Sequence, residues 1–480
     1  MPRKSQAFPS DLPAAPDYNP VRKAIEKTGD RDPEIAAALS LFASMPPSTG
    51  IFANPARYHH AVECDGTTVE LNIRSFAIRG CLLEEDVVRG AADAVCVIFV
   101  GLFDRFPTAD ERKQFSKLLS HAFTQAVRKV LPPLAKFMKS FPYAHPDVAM
   151  QYMSALRNAT ERARPLHPSR PAALVLTDMV AVHMENVAVA AGASYMRAGA
   201  RPRDVVRLLE SLPHSEWLSS IFSLLLRRHV DGTEARILEN LGAIQVHHGS
   251  AGSNMVARYL ASLHTRSISD LFTAAQMTLD CARHFGAITD LTDFITELHR
   301  VAPTQRDGLI RQRAMQGNLP AFGHPEIAAA GRSNSIEVDP RPAIYLAPLF
   351  EAMDAGRLVV PRAPLERIRL TQRMYQIAFV EGLEKPGRVG RLRIAPNTDF
   401  GAWIVQEALG IDEADRTLLS YVFRGFGWMM DVREQLQQPI IRPVIPPDPA
   451  IVPSAGADDM IPKIVEAVHK RLSQAHPKKK

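Results

Sequence analysis

Polar residues at turns and helix starts stand out against a largely apolar, helix-forming chain. Asp399 lies two residues after Asn397 in NTDF, and Arg341 follows the Asp-Pro turn of VDPRP. His324 lies in the Gly-Pro turn of AFGHPEI, and His248 precedes a helix start rich in glycine and serine. Carboxylates and histidines transfer protons, and the planar guanidinium of arginine binds carboxylates. These residue types could therefore carry acid–base chemistry on an anionic substrate.

Each of these residues also has a purely structural interpretation. A histidine beside a helix start is commonly a surface or packing residue, and either Asn397 or Asp399 could cap the backbone amides of the helix that follows. Arg341 and Arg424 could be solvated or paired with carboxylates. Spacing alone therefore does not identify a site.

The elements that would position these residues are predicted to be helices. In the segment 110–131 apolar residues recur at three- and four-residue intervals, which is typical of a helix with one buried face. The same spacing predicts helices at 204–212, 217–226, 254–264, 268–283, 343–354, 365–381 and 414–436. Turns with proline or glycine separate these segments without an alternation of strands and helices, so the sequence predicts a mainly α fold.

Three local features depart from this pattern. Alternating apolar residues around Asp65 and Gly66 predict a short β-hairpin within 59–80. The glycines at 425 and 427 lie in the middle of a predicted helix, which indicates close approach of another backbone or a ligand. The proline-rich segment 439–453 cannot be helical and predicts an extended strap.

Composition narrows the class of protein. The chain has 480 residues, 46% hydrophobic content and a net charge of +6, but its basic residues are spread among 51 acidic ones, which argues against a nucleic-acid partner. The four cysteines are scattered, so we expect no disulfide framework, no metal site and a reducing, cytoplasmic setting. The longest apolar stretch, 91–103, is too short to span a membrane and predicts a buried helix.

Taken together and in order, the polar segments resemble the citrate synthase family. The family signature N-x-D-F, A-L-G-I, R-x-x-G-W, E-Q-L and I-I-R-P has counterparts in NTDF (397–400), ALGI (408–411), RGFGW (424–428), EQL (434–436) and IIRP (440–443). Upstream, AFGHPEI resembles G-F-G-H, VDPRP resembles D-P-R-A, and HHGSAGSNMVARYLAS resembles D-H-x-x-N-A-S-T-x-x-A-R-x-x-A-S. The resemblance covers roughly residues 60–445.

This resemblance implies a citrate synthase-like two-domain helical fold in a homodimer. Residues 1–50, which are rich in proline and charged residues, are expected from composition to form a partly disordered N-terminal arm. The resemblance makes 51–290 the first part of a large domain. Residues 291–400 would form a small domain that closes over the substrates. Residues 401–480 would return to the large domain, with the strap 439–453 reaching across the partner subunit.

The resemblance also implies a reaction. An acyl-CoA such as acetyl-CoA would condense with a 2-oxo acid such as oxaloacetate, and the thioester would then be hydrolysed, with no permanently bound cofactor and no metal. Asp399 would take the proton beside the thioester carbonyl. His324 would polarise the keto group of the oxo acid, and His248 would contact its carboxylate. The arginines that would bind the carboxylates are Arg341, Arg424 and, from the neighbouring subunit, Arg442.

One family motif fits poorly. The histidine of His-Gly-Gly-Ala, which donates to the thioester oxygen, matches His284 in HFGA only if three residues are missing, whereas an ungapped register places Ala287 there. His284 is therefore either the donor or a remnant. Ala321 in place of the first glycine of G-F-G-H and the long segment 326–337 are further departures. A citryl-CoA lyase-like enzyme and a non-catalytic binding protein of the family are the alternative interpretations.

Overall fold

A computed structural model describes the chain over residues 20–43, 62–64, 69–73, 76–77, 93–103, 105, 107–160, 166, 170–211, 217–246, 252–265, 267–279, 286–323, 339, 341–384 and 391–436. The chain divides into two compact units, and all the described residues belong to the unit Met1–Pro439. The predicted strap 439–453 lies outside the described residues. The predicted division into a large and a small domain stays a prediction.

The described chain is mainly helical, as predicted. Its helices are α1 (Pro20–Gly29), α2 (Pro33–Ala43), α3 (Ala94–Phe103), α4 (Ala109–Ser140), α5 (Pro146–Thr160), α6 (Ala172–Arg197), α7 (Pro202–Glu210), α8 (Trp217–Leu226), α9 (Gly232–Gln245), α10 (Gly252–Ser262), α11 (Ile268–Leu279), α12 (Gly286–Arg300), α13 (Pro303–Met315), α14 (Arg341–Asp354), α15 (Arg362–Tyr375), α16 (Thr398–Ala408) and α17 (Arg416–Gln435). A π-helical turn, Gln376–Glu381, continues α15.

One predicted helix is longer in the structure than in the prediction, and part of the N-terminal segment is helical. Helix α4 does not end at 131 but continues through two prolines to Ser140, because Leu134, Phe137 and Met138 bury its last turns in the core. The N-terminal arm contains two helices, α1 and α2. They pack against α4 and α6, so residues 20–43 belong to the folded protein.

Three short strands lie in the segment where a hairpin was predicted. Strand β1 (Val62–Cys64) pairs antiparallel with β2 (Val69–Ile73), with Val62 opposite Leu71. Strand β3 (Phe76–Ala77) pairs antiparallel with β2. The predicted turn at Asp65 and Gly66 lies outside the described residues, so the complete hairpin stays a prediction.

Helix α6 is the central element of the core. It contacts α2, α4, α5, α8 and α17. It is also long and apolar enough to cross a membrane, but 83% of its most apolar window is buried inside the protein, as expected for the core helix of a globular domain. The apolar helix α3 is fully buried, as predicted for 91–103.

Five helices bring together the described candidate residues Arg341, Asp399 and Arg424. Helix α14, which begins at Arg341, packs against α16, which carries Asp399 in its first turn. Helix α10 packs against α17, which carries Arg424. Helix α9 contacts α14, α16 and α17 and so connects the two pairs. Residues that are far apart in the sequence thus meet at one place in the fold.

Gly425 makes room for a histidine ring. A Cβ atom at this position would overlap the ring of His183 from α6. His183 is fully buried, donates a hydrogen bond from Nε2 to the Val422 carbonyl over 2.9 Å, and leaves Nδ1 without a partner. The close approach predicted at this glycine is therefore by a side chain, and neither by a backbone nor by a ligand.

Acid is expected to destabilise the protein through His183. Burial lowers its pKa to about 4 from the ordinary 6.5, so between these values the unfolded chain binds the proton and the folded protein does not. This contribution to stability is full above pH 6.5 and is lost as the pH falls towards 4. We expect it to lower the free energy of unfolding, measured with urea, by about 2 kcal/mol between about pH 7.5 and pH 5.

A matched pair of variants separates this effect from other titrations. His183→Gln retains a donor for the Val422 carbonyl but does not titrate, so its unfolding free energy should depend less steeply on pH. His229→Gln changes an exposed histidine and should behave as the wild type. Equal pH dependence in the wild type and His183→Gln would contradict the prediction.

Candidate active site

Asp399 lies in the first turn of α16, and its carboxylate is not the group that caps this helix. Asn397 is the N-cap residue, and its side-chain oxygen accepts a hydrogen bond from the Asp399 backbone N–H at 3.0 Å. The sequence left open which of the two residues caps the helix. Among the described residues, no group donates a hydrogen bond to the half-buried Asp399 carboxylate.

Asn397 also fastens the segment that leads to His324. Its Nδ2 donates to the Gly323 carbonyl at 3.0 Å, and its backbone N–H donates to the Ala321 carbonyl at 3.0 Å. Ala321 has a positive φ of 63°, a conformation that favours glycine, the residue found there in the family motif. The start of AFGHPEI is thus fixed beside the start of α16, and His324 itself lies outside the described residues.

Arg341 is held by an aspartate two residues earlier. Its Nε donates to Asp339 Oδ1 at 2.8 Å and its Nη2 to Oδ2 at 2.7 Å, a bidentate pair with both residues buried. The backbone N–H of Arg341 also donates to Oδ1, at 3.0 Å. The positive charge of Arg341 is therefore matched by a carboxylate of the protein.

Arg424 is buried without such a match. Its side chain is 2% exposed, and Nη1 donates to the Asn254 amide oxygen at 3.3 Å. Its Nε has no hydrogen-bond partner, and within the described part of the chain no carboxylate forms an ion pair with it. Burial lowers its pKa to about 10. Burial of an uncompensated guanidinium is unfavourable unless an anion completes the site.

The charges of these residues act on one another. Burial raises the pKa of Asp399 to about 7, against the opposing effects of Arg341 and Arg424 and with a further rise from Asp339. The structure therefore brings Asp399, Arg341 and Arg424 together. A carboxylate with a pKa near neutrality can accept a proton at physiological pH, and a neighbouring guanidinium can bind an anion.

Close packing sets the distance between α14 and α16. A Cβ atom at Gly401 would lie 2.8 Å from Pro342 Cα and 2.8 Å from Tyr345 Cδ2, so only glycine allows this approach. The buried Tyr345 hydroxyl forms a hydrogen bond of 2.8 Å with Thr398 Oγ1, directly before Asp399. Both contacts hold the helix that begins at Arg341 against the turn that carries Asp399.

The other predicted site residues lie outside the described residues: His248, His284, His324 and Arg442. Helix α12 begins at Gly286 and contains position 287, but the two possible registers for the thioester-side histidine stay open. In the described part of the chain, no cluster of three or more histidine, cysteine or acidic side chains could hold a metal ion.

Three residues of the site were missed from the sequence. Asp339 was noted as part of a turn, and its spacing of two residues from Arg341 could have suggested the pair. Gly401 follows the NTDF motif directly, but nothing in the sequence shows which helix approaches it. The contact of Asn254 with Arg424 joins residues far apart in the chain and has no local signal.

Comparisons with known proteins identify the family of this chain. The citrate synthase family, in its C-terminal domain, matches residues 59–444. The glyoxysomal citrate synthase of Cucurbita maxima is 26% identical over 373 residues, which cover 71% of this chain and 66% of that protein. The aligned part is thus just under two thirds of that relative.

Solved structures show the same fold. Citrate synthase from Thermoplasma acidophilum, in a ternary complex with carboxymethyl coenzyme A and oxaloacetate, superposes with a TM-score of 0.58 at 15% identity, over 80% of this chain and 91% of that one. The enzyme from Pyrobaculum aerophilum gives 0.56 at 18% identity, over 80% and 87%. On the family match over residues 59–444, this chain belongs to the citrate synthase family.

Proposed function

We propose that this protein is a citrate synthase-like acyltransferase that condenses an acyl-CoA with a 2-oxo acid and hydrolyses the resulting thioester. The observation that carries the proposal is the buried Arg424, which has no carboxylate partner among the described residues and lies near the half-buried Asp399. A dicarboxylate such as oxaloacetate would supply the missing negative charge. The Thermoplasma relative, solved with oxaloacetate and carboxymethyl coenzyme A, supports this class of substrates.

Asp399 acts as the base in this proposal. The ionised carboxylate takes a proton from the carbon beside the thioester carbonyl, and the resulting enolate forms a bond to the keto carbon of the oxo acid. His324 donates to the keto oxygen, which becomes a hydroxyl group, and water then cleaves the thioester to release CoA. With a pKa of about 7, Asp399 is a stronger base than an ordinary aspartate and is still ionised at neutral pH in a large fraction of molecules.

The arginines bind the carboxylates of the oxo acid in this proposal. Arg424 binds one carboxylate of the oxo acid, and Arg341, whose guanidinium is oriented by Asp339, is the second arginine of the site. Arg442 acts from the neighbouring subunit of a homodimer, and His248 contacts the oxo-acid carboxylate. His284 is either the donor to the thioester oxygen or a remnant, and the loss of one such donor costs about 10²- to 10³-fold in rate.

Release of free CoA thiol tests the proposal. The protein is incubated with acetyl-CoA in the presence and absence of oxaloacetate. Its melting temperature is also measured at increasing concentrations of oxaloacetate. We expect release that depends on oxaloacetate and a rise in melting temperature. In Arg424→Met both should disappear, while the ligand-free variant is no less stable than the wild type because a buried charge that has no ion pair with any described residue has been removed.

Arg369→Met, which changes an exposed arginine, is the control and should retain both responses. In the same assay, His284→Ala should slow thiol release if His284 donates to the thioester oxygen and leave it unchanged if His284 is a remnant. A rise in melting temperature without thiol release from acetyl-CoA or propionyl-CoA would replace the proposal with a non-catalytic binding role. Neither response in the wild type would refute it.

A further inference from the structure

A chain of buried polar groups lies behind Arg424. The Asn254 amide nitrogen donates to Asp431 Oδ2 at 2.7 Å, and its oxygen accepts from Arg424 Nη1 at 3.3 Å. Asp431 in turn forms an ion pair with Arg258, which also contacts Glu434 at 3.0 Å. Asn254 and Asp431 are fully buried. Asn254 therefore stands between a carboxylate and the guanidinium of Arg424.

The orientation of the Asn254 amide follows from its neighbours. A carboxylate only accepts hydrogen bonds, so the NH₂ group of Asn254 must face Asp431. The amide oxygen is thereby turned towards Arg424, which only donates. Arg424 and Asp431 are seven residues apart on α17, about two helical turns, and so project from the same face towards α10.

This arrangement leaves Arg424 without an ion-pair partner among the described residues. The negative charge of Asp431 is already paired with Arg258, and the neutral amide supports the Arg424 guanidinium without neutralising it. We propose that Asn254 is a positioning residue that keeps Arg424 available to an anionic ligand, by presenting a neutral acceptor to it and holding the Asp431 carboxylate away. The identity of that ligand as a 2-oxo acid rests on the proposed function.

Asn254→Asp tests the inference directly. The new carboxylate would pair with Arg424, and a ligand carboxylate would then have to compete with it. We expect the Kd for oxaloacetate, measured by isothermal titration calorimetry, to rise about 10- to 100-fold, the scale of one charge-assisted hydrogen bond. The KM for the oxo acid should rise in parallel while the KM for acetyl-CoA stays unchanged, a split that a general structural defect would not produce.

A charge-swap variant guards against misfolding. The double variant Asn254→Asp, Asp431→Asn exchanges the amide and the carboxylate of this pair, so the net charge is unchanged. The carboxylate then lies beside Arg424, and no second carboxylate lies next to it at position 431. It should bind oxaloacetate as weakly as Asn254→Asp. The matched control is Asn158→Asp, since the Asn158 amide also donates to an aspartate, Asp270, but its oxygen accepts from Ser267 and not from an arginine.

The outcomes separate the two proposals. Weakened binding in both Asn254 variants but not in the control supports the inference. Equal binding by the wild type and the charge-swap variant overturns the inference and leaves the proposed function standing. Absence of oxaloacetate binding in the wild type overturns both.

Discussion

Replacement of Asp399 by asparagine is expected to abolish turnover while making the protein more stable. Asparagine has nearly the same shape but cannot accept the proton that the proposed reaction takes from an acyl-CoA. Loss of a general base costs about 10²- to 10⁴-fold in rate. Oxaloacetate should still bind, because Arg424 is unchanged. On the same sample of the variant, thiol release should therefore be lost while oxaloacetate still raises the melting temperature.

The gain in stability follows from the pKa of Asp399. Burial raises it to about 7 in the folded protein from 3.8, so between these values the folded protein holds a proton that the unfolded chain has lost. Stability therefore falls as the pH rises through this window, and the full cost is present above pH 7. Asparagine removes that cost. Because solvent reaches the half-buried side chain, we expect the free energy of unfolding to rise by about 1–2 kcal/mol, which is less than the full pKa difference would give.

The pH dependence distinguishes this explanation from a general effect of the substitution. In urea unfolding the gain of Asp399→Asn should be largest at about pH 8 and shrink towards pH 4. In the wild type, kcat/KM should rise with pH up to about 7 and then level off, because the base must be ionised. Asp290→Asn, at an exposed position, is the control. Full turnover by Asp399→Asn, or a loss of stability, would show that the assignment is wrong.

The second large effect is expected at Gly425. In Gly425→Ala the new methyl group would overlap the His183 ring, which is fully buried. Overpacking of this kind costs about 1–3 kcal/mol or more, and the better helix propensity of alanine recovers at most about 1 kcal/mol. We expect a net loss of about 2 kcal/mol in the free energy of unfolding. Because Arg424 is the adjacent residue, oxaloacetate binding should weaken as well.

Two further variants make this prediction specific. Gly308→Ala, in the middle of α13 with no atom near its Cβ position, should stabilise the protein by about 1 kcal/mol. In the double variant Gly425→Ala and His183→Ala, removal of the ring should relieve the overlap, so the two changes together should cost at least about 1 kcal/mol less than their sum. Strict additivity would mean that the overlap is not the cause.

Much of the helical framework could be predicted, because a helix that buries one face leaves a period of three to four residues in the sequence. The predicted segments at 217–226, 343–354 and 414–436 correspond closely to α8, α14 and α17. The end of α4 could not be predicted in this way. Local rules stop a helix at Pro132 and Pro133, whereas burial of the turns that follow outweighs the lost backbone hydrogen bonds.

The site was predictable in its residue types but not in its electrostatics. Short motifs and their order along the chain indicated Asp399, Arg341 and Arg424, because each motif contains the functional residue itself. They did not indicate that Arg341 is paired with Asp339 while Arg424 has no charged partner in the described chain. That difference depends on which side chains α10 and α17 bring together, and the sequence interval between Asn254 and Arg424 contains no sign of it.

The sequence by itself determined the mainly α fold, the family and the candidate acid, base and carboxylate-binding residues, because each of these depends on local periodicity or on a short motif. Only the tertiary structure decided that Asn397 rather than Asp399 caps α16, that a histidine ring fills the space at Gly425, and that Arg424 is buried without an ion pair in the described part of the chain. Burial and charge pairing are properties of side chains that meet in space. They shift the pKa of Asp399 towards neutrality, and with it the chemistry that the site can perform.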